Sequence, residues 1–174
     1  MLKRPRRNRI SPALRSLCQE TVLVPQDFVA PFFVLEGKGR NETDPALPGL
    51  RKLSIDLIVK EALDLHKQGV PSVLLFPVET SDNKDEQGSK ALSPQGLIPR
   101  AIQILKREIP SLHVVCDVAL DPYTSHGHDG ILGPSGDVLN DETVAILASM
   151  SKVFAEAGAD IDRKSTRLNS SHKP

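Results

Sequence analysis

The densest run of chemistry-bearing side chains is residues 117–130, DVALDPYTSHGHDG, with Asp117, Asp121, His126, His128 and Asp129 set around two glycines. Carboxylates this close can hold a cation, orient an amine or carry a proton, and the two imidazoles with Asp129 have spacing compatible with metal ligation. Hard carboxylate oxygens favour magnesium over zinc. Each residue also has a plainer reading. Asp121 precedes Pro122 and suits a turn, and short His/Asp spacings are common on loops. Asp117 is different, because it interrupts an apolar run, where a carboxylate needs a partner or a shifted pKa. Cys116 beside it reads as a small core residue.

The flanking pattern says what must position this loop. Residues 28–36 (FVAPFFVLE), 70–78 (VPSVLLFPV) and 112–120 (LHVVCDVAL) are compact apolar runs that read as buried strands. Between them lie helical patterns. Ser54 stands at the N-cap of IDLIVKEALDLHKQG, whose apolar face is Ile55, Ile58, Val59, Ala62, Leu63 and Leu65, with Gly69 past its end; PQGLIPRAIQILKREIP follows, bounded by prolines. A last helix spans about Asp141 to Glu156 and ends at Gly158. Fully apolar strands alternating with amphipathic helices predict α/β structure with a parallel sheet. In such sheets ligands bind at the C-terminal strand ends, where the aspartate loop falls. The stretch from Gly37 to Gly49 reads as a long loop, and Ile10, Leu14 and Leu17 mark a short helix with Ser11 and Pro12 at its start.

The 174 residues include 22 basic and 22 acidic side chains, 39% hydrophobic residues, 14 Pro, 11 Gly and two Cys, so collagen-like, membrane-spanning and disulfide-scaffold classes are excluded. The zero net charge conceals three blocks: +5 over residues 1–9, −8 over 10–161 and +3 over 162–174. The acidic body and the lack of an aromatic platform argue against nucleic-acid binding. The head, KRPRRNR, admits a nuclear-signal or phosphate-binding reading, but reads most simply as a solvated arm that docks on an acidic neighbour or another subunit. No secretory or transit-peptide pattern follows it, and Cys18 with Cys116 fits a reducing compartment, so the cytoplasm is expected.

The composition changes abruptly after AEAGADI. A fourth strand is due from Ala159, yet DRKSTRLNSSHKP is polar and aperiodic. This tail resembles a translated sequencing-adaptor read. The expected organisation is therefore an arm with a short helix (residues 1–26), a truncated barrel (27–161) and a non-native tail (162–174).

DVALDPYTSHGHDG resembles the metal-loop signature of the porphobilinogen synthase (5-aminolaevulinate dehydratase) family. RPRRNRISPALRSLCQET is similar to the family's arm and first helix, APFFVLEGKG to its first barrel strand, LPGLRKLSID to its approach to the first barrel helix, and LLFPVETSDNKDEQGSKAL to its second strand and loop. The resemblance covers nearly all of residues 4–161, in order.

It implies an incomplete (β/α)8 TIM barrel of about three βα units, preceded by an extended N-terminal arm, in a homo-oligomeric, cytoplasmic hydro-lyase. That enzyme condenses two 5-aminolaevulinate molecules to porphobilinogen, with loss of water, in haem biosynthesis. Three positions that are cysteines in zinc-dependent members are Ala119, Asp121 and Asp129 here, so a tri-cysteine zinc site is excluded and the aspartate-rich, magnesium-activated branch is matched. Asp117, Asp121, Ser125 and Asp129 are then expected to line the pocket, with Asp121 and Asp129 holding a cation or orienting the amine and Asp117 positioning loop groups. The family's two Schiff-base lysines fall beyond residue 161, and Lys84, Lys90 and Lys106 match neither, so an inactive fragment is expected. The competing reading is a non-catalytic assembly or metal-binding module that interacts with the full-length enzyme. An open parallel sheet with bare edges weighs against it.

Overall fold

The sheet is built by the apolar runs in the order in which they occur. A computed structural model describes residues 6–164, so Lys3 and Arg4 of the basic head and the tail beyond Lys164 lie outside the described residues. Strand β1 (Val29–Leu35) leads through β2 (Asn41–Thr43), β3 (Arg51–Ser54) and helix α2 (Ile55–Lys67) to β4 (Ser72–Pro77). Helix α3 (Leu97–Glu108) then precedes β5 (His113–Asp117), and α4 (Asn140–Ala157) precedes β6 (Ile161–Arg163). Strands β3, β1, β4, β5 and β6 are parallel neighbours in that order, and β2 pairs antiparallel with β3 at the edge. The short helix α1 (Pro12–Leu17) lies upstream, with the Ser11 hydroxyl accepting the Leu14 N–H at 3.2 Å.

Successive βα units β1, β4, β5 and β6 advance in one direction without a reversal of strand order. One core cluster joins Phe32, Val34, Val73, Leu75, Val114 and Cys116 from alternate strand positions to Ile58, Ala62, Ile98, Ile102, Leu105, Met150 and Phe154 from α2, α3 and α4. The helices therefore cover one face of the sheet. The intervening residues face the other way: Phe33 stacks on Phe76 with ring centroids 5.1 Å apart, and Leu35 and Val115 are buried outside the helix-side cluster. A one-way parallel sheet with helices on a single face buries its second face only by curling, which makes this a partial (β/α) barrel.

Three expectations are corrected. The fourth strand does begin, because β6 pairs with β5 in the register Val115↔Ile161, Cys116↔Asp162 and Asp117↔Arg163. Backbone pairing holds a short polar edge strand that hydropathy does not reveal, so the expected boundary after residue 161 cuts this strand. The stretch after Gly37 is not all loop, since Asn41–Thr43 pairs with Arg51–Leu53. Finally, the third strand leaves the ladder at Asp117, three residues before the end of its apolar run.

Ser54 occupies the N-cap of α2 but makes no side-chain cap bond. Its hydroxyl instead accepts the Arg40 N–H at 3.0 Å and meets Asp56 at 2.6 Å. At the opposite end of the sheet, Asp160 joins three elements. Its carboxylate accepts the Val114 N–H at 2.8 Å and Lys106 Nζ at 3.1 Å, while its own N–H donates to Val114 O at 3.0 Å. Lys106 is thereby a structural residue.

Candidate functional site

Asp117 ends β5 on the face opposite the helices, next to Phe76, which explains how a carboxylate fits an apolar strand. Phe33 and Phe76 are register partners, and Asp117 pairs with Arg163, so these four side chains form a row near the C-terminal ends of the strands. The Arg163 guanidinium donates to Asp117 Oδ1 at 3.0 Å.

Past the strand, the chain folds back. Tyr123 and Thr124 N–H groups both donate to Leu120 O, at 2.8 and 3.0 Å, closing a turn at Asp121–Pro122. The Leu120 N–H donates to Asp129 Oδ1 at 2.7 Å, and Thr124 Oγ1 donates to His128 O at 2.8 Å, so residues 120–129 form a closed loop. Its far end is anchored by α4, whose buried Thr143 hydroxyl accepts the Ile131 N–H at 3.0 Å. At Gly130 a Cβ would lie 2.6 Å from Val138 Cγ1 and 3.1 Å from Thr143 Oγ1, so a side chain there would have to displace the exposed Val138.

The loop after β4 holds the other side. Asp85 donates its N–H to Tyr123 O at 3.2 Å and accepts the Ser125 N–H on its carbonyl at 2.9 Å. Its side chain accepts the Gln87 and Ser89 N–H groups at 2.9 and 3.0 Å, and these backbone donors, Ser89 first, hold its carboxyl below the usual range. His126 is part of the same clasp. Its Nε2 meets Glu86 O at 3.2 Å and its Nδ1 accepts the His128 N–H at 3.1 Å. Both ring nitrogens therefore serve the loop, and neither is left to ligate a metal.

Phe76, Asp117, Ala119, Asp121, Gly127, His128 and Asp129 together line a cleft of about 290 Å³. A comparable cleft of about 320 Å³, lined by Ser151, Phe154, Ala159 and Ile161 among others, flanks β6 and contains no part of the aspartate loop. Of the four expected site residues, Asp117, Asp121 and Asp129 converge and Ser125 does not. Ser125 is exposed, outside the cleft lining, with its backbone tied to Asp85. Ala119 joins the aspartates, so the three positions matched to cysteines border one space.

Asp121 is the electrostatic centre. Partial burial pushes its carboxyl up, Asp129 and then Asp117 push it further, and Lys164, which contacts Asp129, opposes them. Among the described residues, no group of three or more His, Cys, Asp or Glu is assembled around a metal position. The chemistry available is that of a small, acidic, mainly polar cleft: attraction of an ammonium or a hydrated cation, with Phe76 as its apolar wall. Phe76 and the buried Glu79 escape a reading of the sequence, where the alternation of β4 was the available signal for the first and nothing marked the second.

The chain resembles one family throughout. The family model for delta-aminolevulinic acid dehydratase matches residues 2–169. A relative of that name from Bradyrhizobium diazoefficiens is 44% identical over 158 residues, covering 91% of this chain and 44% of the relative. Another from Chlamydia pneumoniae is 46% identical over 159 residues, covering 91% and 48%. The crystal structure of delta-aminolevulinic acid dehydratase (porphobilinogen synthase) from Toxoplasma gondii, in complex with the reaction product porphobilinogen, superposes with a TM-score of 0.88 at 36% identity, covering 98% of this chain and 48% of that one. The chain spans about half the length of the curated relatives it matches.

Proposed function

The chain belongs to the delta-aminolevulinic acid dehydratase family, and on that premise we propose that it is the N-terminal portion of a porphobilinogen synthase, whose full-length form condenses two 5-aminolaevulinate molecules to porphobilinogen. The observation that carries this reading is the convergence of Asp117, Asp121 and Asp129 on one cleft at the strand C-termini, where parallel α/β folds place their chemistry. Asp121 and Asp129 orient the substrate ammonium or hold a cation, and Asp117 positions the groups around them. Ser125 is proposed only as a backbone anchor of the loop, given its place outside the cleft.

The donor set discriminates between metals. Two carboxylates and a methyl group supply no thiolate, so zinc of the tri-cysteine kind does not fit. Magnesium keeps several waters and accepts one or two carboxylates, which Asp121 and Asp129 fit; it would offset the Asp129 and Asp117 charges that add to burial in raising the Asp121 pKa.

Carbon–nitrogen condensation through Schiff bases needs lysines that lose their proton in a desolvated setting. Lys106 is engaged with Asp160 and Leu112 O, away from the cleft. The chain of 174 residues is accordingly proposed to lack turnover by itself. The arm, with Ile10, Leu17, Val22 and Leu23 exposed, is proposed to dock on a neighbouring subunit. Free Cys18 and Cys116 support a reducing compartment such as the cytoplasm, and among the described residues no helix is long and apolar enough to cross a membrane.

The test is porphobilinogen formation by the full-length reading frame carrying Asp121→Asn or Asp129→Asn. Each is expected to lower kcat/KM by about 100-fold or more, the size of effect seen when a charge-orienting group leaves an active site. Full activity in both variants overturns the assignment.

A further inference from the structure

Asp85 stands outside the cleft lining and is exposed, yet its side chain shapes the turn on which the aspartate loop rests. Its Oδ1 alone accepts both the Gln87 and the Ser89 N–H, at 2.9 and 3.0 Å, an Asx turn that winds residues 85–89 into one unit. Gly88 is buried within that unit at φ +63°, and a Cβ there would stand 3.3 Å from Leu120 Cδ2 and 3.5 Å from Thr124 Cγ2. The turn therefore packs directly against residues 120–124.

Backbone bonds fix that contact on both sides of Thr124. Asp85 and Thr124 form an isolated parallel bridge, in which the Asp85 N–H donates to Tyr123 O at 3.2 Å and the Ser125 N–H donates to Asp85 O at 2.9 Å. Tyr123 and Thr124 are buried, and their N–H groups both donate to Leu120 O, so the place of Asp121 follows from that of its neighbours in the turn. The Leu120 N–H then reaches Asp129 Oδ1 at 2.7 Å. Asp117 is placed independently, by the β5 ladder and by Arg163.

We infer that Asp85 is a positioning residue for the aspartate site: its Asx turn is the strut that sets where Asp121 and Asp129 stand, while Asp117 is left to the sheet. The inference rests on the reading that Asp121 and Asp129 orient the substrate ammonium. What Asp85 supplies is acceptor geometry, not charge. Both N–H partners use one oxygen, so an amide carbonyl serves equally, whereas a methyl group leaves two amides without their acceptor and frees the turn to change shape. An ammonium facing misplaced carboxylates is held more weakly in the ground state and the transition state alike. Such a uniform loss raises KM and leaves kcat in place.

Steady-state porphobilinogen formation by the full-length reading frame tests it. Asp85→Ala is expected to raise KM for 5-aminolaevulinate about tenfold, the effect of weakening one charge-assisted contact, with kcat within about twofold of the unmodified enzyme. Asp85→Asn is expected to keep the unmodified KM. A merely structural defect removes active enzyme and lowers apparent kcat at constant KM. That outcome, an unchanged KM in Asp85→Ala, or an Asp85→Asn as impaired as Asp85→Ala overturns the strut. Should Asp85→Ala not fold, Gly88→Ala takes its place, because its Cβ pushes the turn off Leu120. The same rise in KM is expected, and an unchanged KM refutes the inference. Full activity in both Asp121→Asn and Asp129→Asn removes the site and the strut with it, whereas impairment there beside unmodified kinetics in Asp85→Ala removes the strut alone.

Discussion

Asp121 bears a charge that the cleft disfavours. Its carboxyl is pushed up by partial burial, then by Asp129 and Asp117, so ionising it opposes folding. Because the folded pKa is raised, the stability linked to Asp121 is fully present below its unfolded value of about 3.9 and is lost as pH rises through the folded value. Asp121→Asn is therefore expected to melt above the unmodified chain at pH 7. The gain is a few tenths to about 1 kcal/mol, since the group reaches solvent and is screened, or up to about 4 °C in Tm. Magnesium should raise the Tm of the unmodified chain and leave Asp121→Asn unchanged; equal responses would remove Asp121 from the cation site. At this scale the sequence was informative where a residue broke a pattern. Asp117 stood out because it interrupted an apolar run, and Asp121 and Asp129 because they share a Gly-containing loop with it. Ser125 was expected in the pocket only through the family resemblance, but a turn of four residues decides which side chains point inward, and that depends on long-range partners such as Asp85.

Elements here are joined by single polar side chains at their ends. Asp160 ties the start of β5 to the α4–β6 turn and to Lys106 of α3. Burial alone would raise its pKa, but the Val114 N–H and the Lys106 ammonium outweigh that and hold it below the usual range. Its contribution is thus present above about pH 3.9 and lost as pH falls through the lowered folded value. Asp160→Ala is expected to cost about 2 kcal/mol near neutral pH, because it leaves the Val114 N–H without its acceptor, and the cost should shrink towards acid. Urea unfolding at several pH values measures both; a pH-independent loss would show that packing, not charge, is at stake. The helices were legible from apolar period and capping residues, with α4 ending at Gly158 as expected. Strands β2, β3 and β6 were not, because they are three or four residues long and owe their existence to neighbours rather than composition.

For the molecule as a whole, the single-sided cover of helices is decisive. It makes the sheet part of a barrel and leaves Phe33, Phe76 and Asp117 on a face that the helices do not cover. The arm is set apart from this core: none of its described residues, Arg6 to Gln26, is buried. Deleting residues 1–26 is expected to lower the mass of the full-length assembly in sedimentation while leaving the far-ultraviolet spectrum of the barrel nearly intact. An unchanged mass would dismiss the proposed docking role. The α/β class with a parallel sheet could be read from the order of apolar runs and the barrel from the family resemblance, whereas the one-way strand order is contained in no local pattern.

The strand order also sets a timetable for synthesis. Each barrel strand pairs with its predecessor, β4 on β1, β5 on β4 and β6 on β5. A nascent chain can therefore extend its sheet in the order in which it leaves the ribosome, with β4, β5 and β6 each meeting a partner already made. The aspartate loop is the exception. Asp85 is ready before it emerges, but Thr143 lies 13 residues downstream of Gly130, so the loop takes its final shape only after the first turn of α4 has cleared the tunnel.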